Sequence, residues 1–208
     1  MRDHFFFAAL LATASWASIA APGQESLTNR DERVFSAVLA HTIRPHVTTV
    51  VSGMGIRGVA PLLVLDETMT LCRSLQGRPP CVQPDDIETL RRPDRSGSLL
   101  GGSGYSAALR SELVDAFNLR NAVSQRFPRL NQSDVILIPS VDLTETLKQW
   151  QGKTRGHLVF SSPGYSTDGH AVVIGGYVCG RCGRGWLFVL EQTVDQWRVI
   201  GAYGLWES

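Results

Sequence analysis

The sequence predicts an α+β fold in which a C-terminal antiparallel β-meander packs against about three helices, a layout of the cystatin or NTF2-like kind. Three observations carry this expectation. Helical periodicity is confined to the part before His157, and from there on the pattern is strand-like. The links between the later strands are short and rich in Gly, Pro or polar residues, which forces antiparallel neighbours. Helices first and strands last is the order expected when helices cover one face of an antiparallel sheet. With 43% hydrophobic and 19% charged residues the chain can bury a core, which excludes a disordered or low-complexity protein.

The N-terminus reads as an export signal. Met1-Arg2-Asp3-His4 precedes an uncharged run over residues 5–21, and Ser18-Ile19-Ala20 places small residues where a signal peptidase reads. Cleavage after Ala20 leaves a mature chain of residues 21–208, expected to form one domain in the periplasm or outside the cell. A spanning helix needs roughly 20 apolar residues, and Thr13, Ser15 and Ser18 interrupt this run. No cysteine precedes Cys72 to accept a lipid, so no stable membrane anchor is expected.

The elements follow in order. Asn29 and Glu32 have capping-box spacing, Val34, Val38 and His41 share a face, and Pro45 ends that first helix. Residues 47–51 and 62–65 are β-rich and are separated by Gly53, Gly55 and Gly58. Residues 91–104, half of them Gly or Ser, read as a flexible connector. A second helix is expected over about 107–127, with Leu109, Leu113, Ala116, Val123 and Phe127 on one face and Pro128 as the stop. A short strand at 135–138 leads to a third helix capped by Ser140, carrying Leu143, Leu147 and Trp150 and ending at Gly152. Strands are expected at 157–162, 170–178, 186–192 and 197–203, the middle pair being the most apolar and so central. No internal repeat of useful length is present.

Export changes how the four cysteines read, because an oxidising compartment favours disulfides. Cys72, Cys81, Cys179 and Cys182 allow three connectivities, and loop-closure entropy favours the local pairs. Cys179-Gly-Arg-Cys182 also matches a redox C-x-x-C pair, whose thiolate Arg181 and Arg184 would favour. Thioredoxin-type pairs, however, sit where a strand meets a helix, whereas Gly183-Arg-Gly185 leads into another strand. A zinc set of all four is disfavoured because the Cys72–Cys81 spacing is too wide for a ribbon. Gly53-Met-Gly55-Ile-Arg-Gly58 matches a dinucleotide motif but opens no helix, so it reads as a loop.

Other chemistry is sparse. His41 and His46 lack helical ligand spacing; His157 and His170 can face each other across neighbouring strands, with Asp168 close in sequence. A hydrolytic set would need a nucleophile, and no G-x-S-x-G elbow exists, while Ser103 and Ser106 belong to the connector region. The aromatic set Trp186, Phe188, Trp197, Tyr203 and Trp206 is expected to fill the core, with a solvent-facing subset available to a ligand.

The run from Gly169 through Cys179-Gly-Arg-Cys182-Gly to Leu190, with Trp197-Arg-Val and the closing Leu205-Trp206-Glu-Ser208, resembles a family of uncharacterised exported bacterial proteins. In that family a Cys-Gly/Cys-Gly turn joins two strands and the chain ends near Trp-x-Ser. Val64-Leu-Asp66-Glu-Thr68 and Phe117-Asn-Leu-Arg-Asn121 are similar to its upstream landmarks. The resemblance implies export and a single domain, and brings no reaction with it.

The expectation for function is a soluble exported binding or interaction module without a cofactor; the alternative is an envelope thiol–disulfide oxidoreductase using Cys179 and Cys182. Its partner would be a protein or small ligand in the envelope. A net charge of +1, from 20 basic and 19 acidic residues, gives no field to attract nucleic acid.

Overall fold

The computed structural model describes residues 29–43, 61–72, 81–88, 90, 107–127, 130, 132–151, 154, 156–179, 182–194 and 196–207. The expected signal sequence and cleavage site, the expected strand at 47–51, His46, the 53–58 glycine motif, the expected connector at 91–104, and Ser103 and Ser106 lie outside these residues.

The described elements are α1 (Asn29–Val38), β1 (Leu62–Leu65), β2 (Thr70–Leu71), β3 (Cys81–Val82), α2 (Pro84–Glu88), α3 (Ala107–Arg120), β4 (Val135–Ile138), α4 (Leu143–Gln149), β5 (His157–Phe160), β6 (Gly164–Tyr165), β7 (His170–Val178), β8 (Gly183–Gln192) and β9 (Trp197–Glu207). The main sheet runs β4-β1-β5-β7-β8-β9, and β6 continues the line of β5 along β7. Strands β5, β7, β8 and β9 form the expected antiparallel meander. Its short turns leave the chain no room to return in parallel.

The other half of the sheet is parallel. β1 lies between β4 and β5 and runs parallel to both. Long connections make this possible: α2 and α3 fall between β1 and β4, and α4 falls between β4 and β5. β2 and β3 form a separate parallel pair.

Helices cover both faces of the sheet, not the single face expected of a cystatin or NTF2-like layout. On one face Leu62, Val64, Leu158, Phe160, Val173 and Phe188 pack with Val34, Phe35, Val38 and Leu39. On the other, Leu63, Leu65, Val159, Val172, Leu187 and Val189 pack with Leu113, Val114 and Phe117 of α3. The cause is that β1, β5 and most of β7 and β8 are buried at every position, so each strand presents apolar side chains to both sides. The four side chains of the first helical segment are fully buried, each contributing roughly 1.5–3 kcal/mol.

Two helix boundaries differ from expectation. α3 ends at Arg120, not near Phe127, because Asn121 closes it: its Nδ2 donates to the Phe117 carbonyl at 2.8 Å and to the Ser162 carbonyl at 2.9 Å. The chain then turns toward β1, where Phe127 N donates to Asp66 O, and Val123 is left exposed. Ser140 does not cap α4; its N–H donates to Asp66 Oδ1 at 2.9 Å, and Asp142 precedes the helix. After α1 the chain continues as a π turn over Leu39–Ile43. That wider turn breaks the 3.6-residue period, so His41 is exposed instead of sharing the apolar face.

Candidate functional site

The four cysteines form two local disulfides, and none is free. Cys72–Cys81, with Cα atoms 5.1 Å apart, staples β2 to β3, where Cys72 N also donates to Val82 O at 2.9 Å. Cys179–Cys182, with Cα atoms 5.0 Å apart, closes the tip of the β7–β8 hairpin. There the register ends at Val178 opposite Gly183, and Cys179 N donates to Cys182 O at 2.8 Å. With each cysteine taken up in its own local disulfide, the four do not share one tetrahedral set.

His157 and His170 do not face each other. His157 opens β5 opposite Val178, while His170 opens β7 opposite Glu191, so they stand at opposite ends of β7. His157 is buried and its Nδ1 has no hydrogen-bond partner; burial lowers its pKa to about 4. His170 Nδ1 meets Asp168 Oδ1 at 2.8 Å, and Ser166 Oγ donates to the same oxygen. The bond from Ser166, then that from His170, holds the Asp168 carboxyl below the ordinary carboxylate range.

A Ser-Asp-His grouping invites a hydrolytic reading, which the geometry refuses. A nucleophilic serine must give its proton to imidazole, and here serine and histidine converge on one carboxylate oxygen. Ser166 N donates to His170 O and His170 N to Ser166 Oγ, both at 3.0 Å, so the three side chains tie a tight β6–β7 turn. Gly169 supplies the positive φ of 87° that this turn needs.

The most developed polar cluster is one the sequence reading missed. Asp31 of α1 is fully buried. Arg120, the last residue of α3, donates from Nη1 to Oδ1 at 2.8 Å and from Nη2 to Oδ2 at 3.1 Å. Tyr165 of β6 donates its hydroxyl to Oδ1 at 2.7 Å. The guanidinium of Arg30 lies 3.9 Å from the centre of the Tyr165 ring and 5.3 Å from that of Trp197.

Electrostatics fixes what this cluster can do. Burial and then the charge of Asp31 push the Tyr165 phenol up, well away from neutrality. For Arg120 burial acts downward, but the hydrogen bond and charge of Asp31 outweigh it and raise its pKa. Neither group can exchange a proton near neutral pH, so the cluster works as a lock joining helices from both faces of the sheet. The signal for it was present: Asp31 falls in the same stripe as Val34, Phe35 and Val38, and an acid there needs a buried partner.

The aromatic set divides. Trp186, Phe188 and Trp197 are buried, Tyr203 is half-buried and Trp206 is exposed. Trp206 lies over a row of glycines: a Cβ at Gly185 would collide with its indole, and one at Gly176 or Gly183 would come within 3.1 or 2.9 Å. No protein-family model matches the chain, and no curated protein or solved structure matches it.

Proposed function

We propose that the protein is exported and acts by binding rather than catalysis. The observation that supports this most is the setting of Cys179 and Cys182. They flank a turn between two antiparallel strands, and among the described residues no helix begins beside them to stabilise an attacking thiolate. Two polar clusters are engaged structurally, with Asp168 tying a turn and Asp31 joined to Arg120. Two local disulfides are compatible with an oxidising compartment. No helix among the described residues is long and apolar enough to cross a membrane.

Insulin reduction by the purified protein tests the reading against its redox alternative. The expected result is no turnover above that of buffer with the same reductant. Rapid turnover abolished by Cys182→Ser would replace it with thiol–disulfide exchange. Intact-mass measurement of protein recovered from the cell envelope tests export. A chain beginning at Ala21 is expected, and a mass retaining residues 1–20 would make the protein an anchored one.

A further inference from the structure

The indole of Trp197, at the start of β9, is buried with its polar edge unsatisfied. The residue is 5% exposed, and its Nε1–H is shielded from water and has no hydrogen-bond partner. Buried indole N–H groups ordinarily find an acceptor. The described side chains beside the ring do not supply one. Tyr165, with ring centres 5.7 Å apart, turns its hydroxyl to Asp31, and Gln192, opposite Trp197 in the ladder, gives its Oε1 to Arg30. Arg30 itself, 5.3 Å from the indole centre, has only donors.

Arg30 is unsatisfied in a second sense, that of charge. The ion pairs of the described residues use Arg120, Arg126, Lys148, His170 and Arg198, not Arg30. Asp31, its chain neighbour, is taken by Arg120, and Glu191, beside Gln192, is taken by Arg198. What holds the guanidinium is the face of Tyr165 at 3.9 Å, that of Trp197, and one 3.5 Å hydrogen bond to the exposed Gln192. Cation–π contacts draw on its charge and make no use of its N–H fork.

We propose that Arg30 and Trp197 form a binding site for an oxyanion, a carboxylate or phosphate group, between the start of α1 and the start of β9. This deepens the binding reading above by naming a ligand class, and rests on it. The chemistry of the donor set selects the ligand. Two donor-only groups, one of them cationic, are satisfied together by an acceptor-only anion, whereas a cation or an apolar ring would leave both as they are. The planar fork of arginine matches the paired oxygens of carboxylate or phosphate. A purely structural role, with Arg30 as a cover for two aromatic rings, accounts for the stacking and not for the orphan N–H. Arg30 is half-buried and lightly held, so a ligand that engages it can draw it aside from the indole and bring an oxygen to Nε1.

Nitrogen–proton correlation spectra of the purified, disulfide-intact protein read this directly. Each tryptophan gives one indole N–H signal, and Trp197→Phe identifies the one in question. Titration with sodium acetate and, separately, with inorganic phosphate should move the Trp197 signal downfield in a saturable way, with sodium chloride at equal ionic strength as the reference. A response to acetate alone assigns the site to carboxylate ligands and one to phosphate alone to phosphoryl ligands; either supports the proposal. Arg30→Gln keeps an amide donor but removes the charge and the fork. It should weaken binding by about tenfold or more while the other indole signals stay in place. A Trp197 signal that ignores both anions, follows chloride equally, or responds undiminished in Arg30→Gln would overturn the proposal. None of these outcomes touches the insulin assay, so a failed site and a failed binding reading are told apart.

Discussion

The two ends of β7 are held by opposite means. At the His170 end the restraint is non-covalent and long-range: Asp31 is joined to Arg120 across 89 residues of chain and to Tyr165 across 134. At the Val178 end it is covalent and local, a disulfide between residues only 3 apart in sequence. A cross-link acts mainly on the unfolded chain, in proportion to the loop it closes, so the hairpin clip removes little freedom. A buried ion pair acts on the folded state, because removing one partner leaves the other's charge buried without its counter-ion. The weaker-looking bond is therefore the one on which the fold depends more.

Breaking the long-range end should have the largest effect. Arg120→Ala removes the bidentate cation from the buried Asp31 carboxylate, and is expected to cost about 3–5 kcal/mol in a urea melt. Adding Asp31→Ala should recover part of that loss, because the stranded charge is gone. A loss for Arg120→Ala of no more than about 1 kcal/mol would mean the pair behaves as a surface bridge. That result would reverse the ranking of the two ends.

The covalent end is sharpened by separating its packing from its bond. Trp186 of β8 is buried beside Phe188, with ring centres 6.4 Å apart. Trp186→Ala should cost about 3–5 kcal/mol. Cooperative unfolding at nearly the wild-type urea midpoint would show that the core near the hairpin tip is dispensable.

The same end carries a pH dependence. His157 has a folded pKa of about 4 against an ordinary 6.5, so the unfolded chain binds its proton first. No effect arises above pH 6.5. Stability falls as pH drops from there to about 4, by about 3 kcal/mol in all. His157→Gln should flatten that part of the stability–pH curve, and an unchanged slope would assign the acid sensitivity to other groups.

The smallest effect is expected from the clip itself. Cys179→Ser with Cys182→Ser should fold and lose about 2 kcal/mol or less under oxidising conditions. The turn keeps its Cys179 N to Cys182 O hydrogen bond and the β7–β8 register on either side. Failure of this variant to fold, while Arg120→Ala remains stable, would invert the comparison entirely.

What the sequence made legible follows the range of the interactions. The meander was readable because alternation, turn residues and short links are local properties, as in Trp197-Arg-Val-Ile. The parallel half was not, since four apolar residues at 62–65 or 135–138 announce a buried strand without naming its neighbour. Val123 and Phe127 extended the period of α3 by coincidence, whereas the Asn121 side chain that ends it bonds to Ser162, 41 residues away. The cysteines left three connectivities open in the sequence; the structure has the two local pairs that loop-closure entropy favours. The Asp31–Arg120–Tyr165 lock stayed hidden because its members come from three distant segments, each ordinary on its own.

The approach of α3 to the sheet has a mechanical consequence. Gly164 of β6 lies directly beneath Phe117, and a Cβ there would sit 2.5 Å from the Phe117 nitrogen and 2.6 Å from its Cα. Those are backbone atoms, so no rotamer change relieves the clash and the whole helix would have to lift. Arg120 rides on the final turn of that helix, with its guanidinium seated on a carboxylate from the opposite face. A single methyl group at residue 164 would thus be felt as a misfit at Asp31, and the absence of a side chain in β6 works as a spacer gauge for a charge pair elsewhere in the molecule.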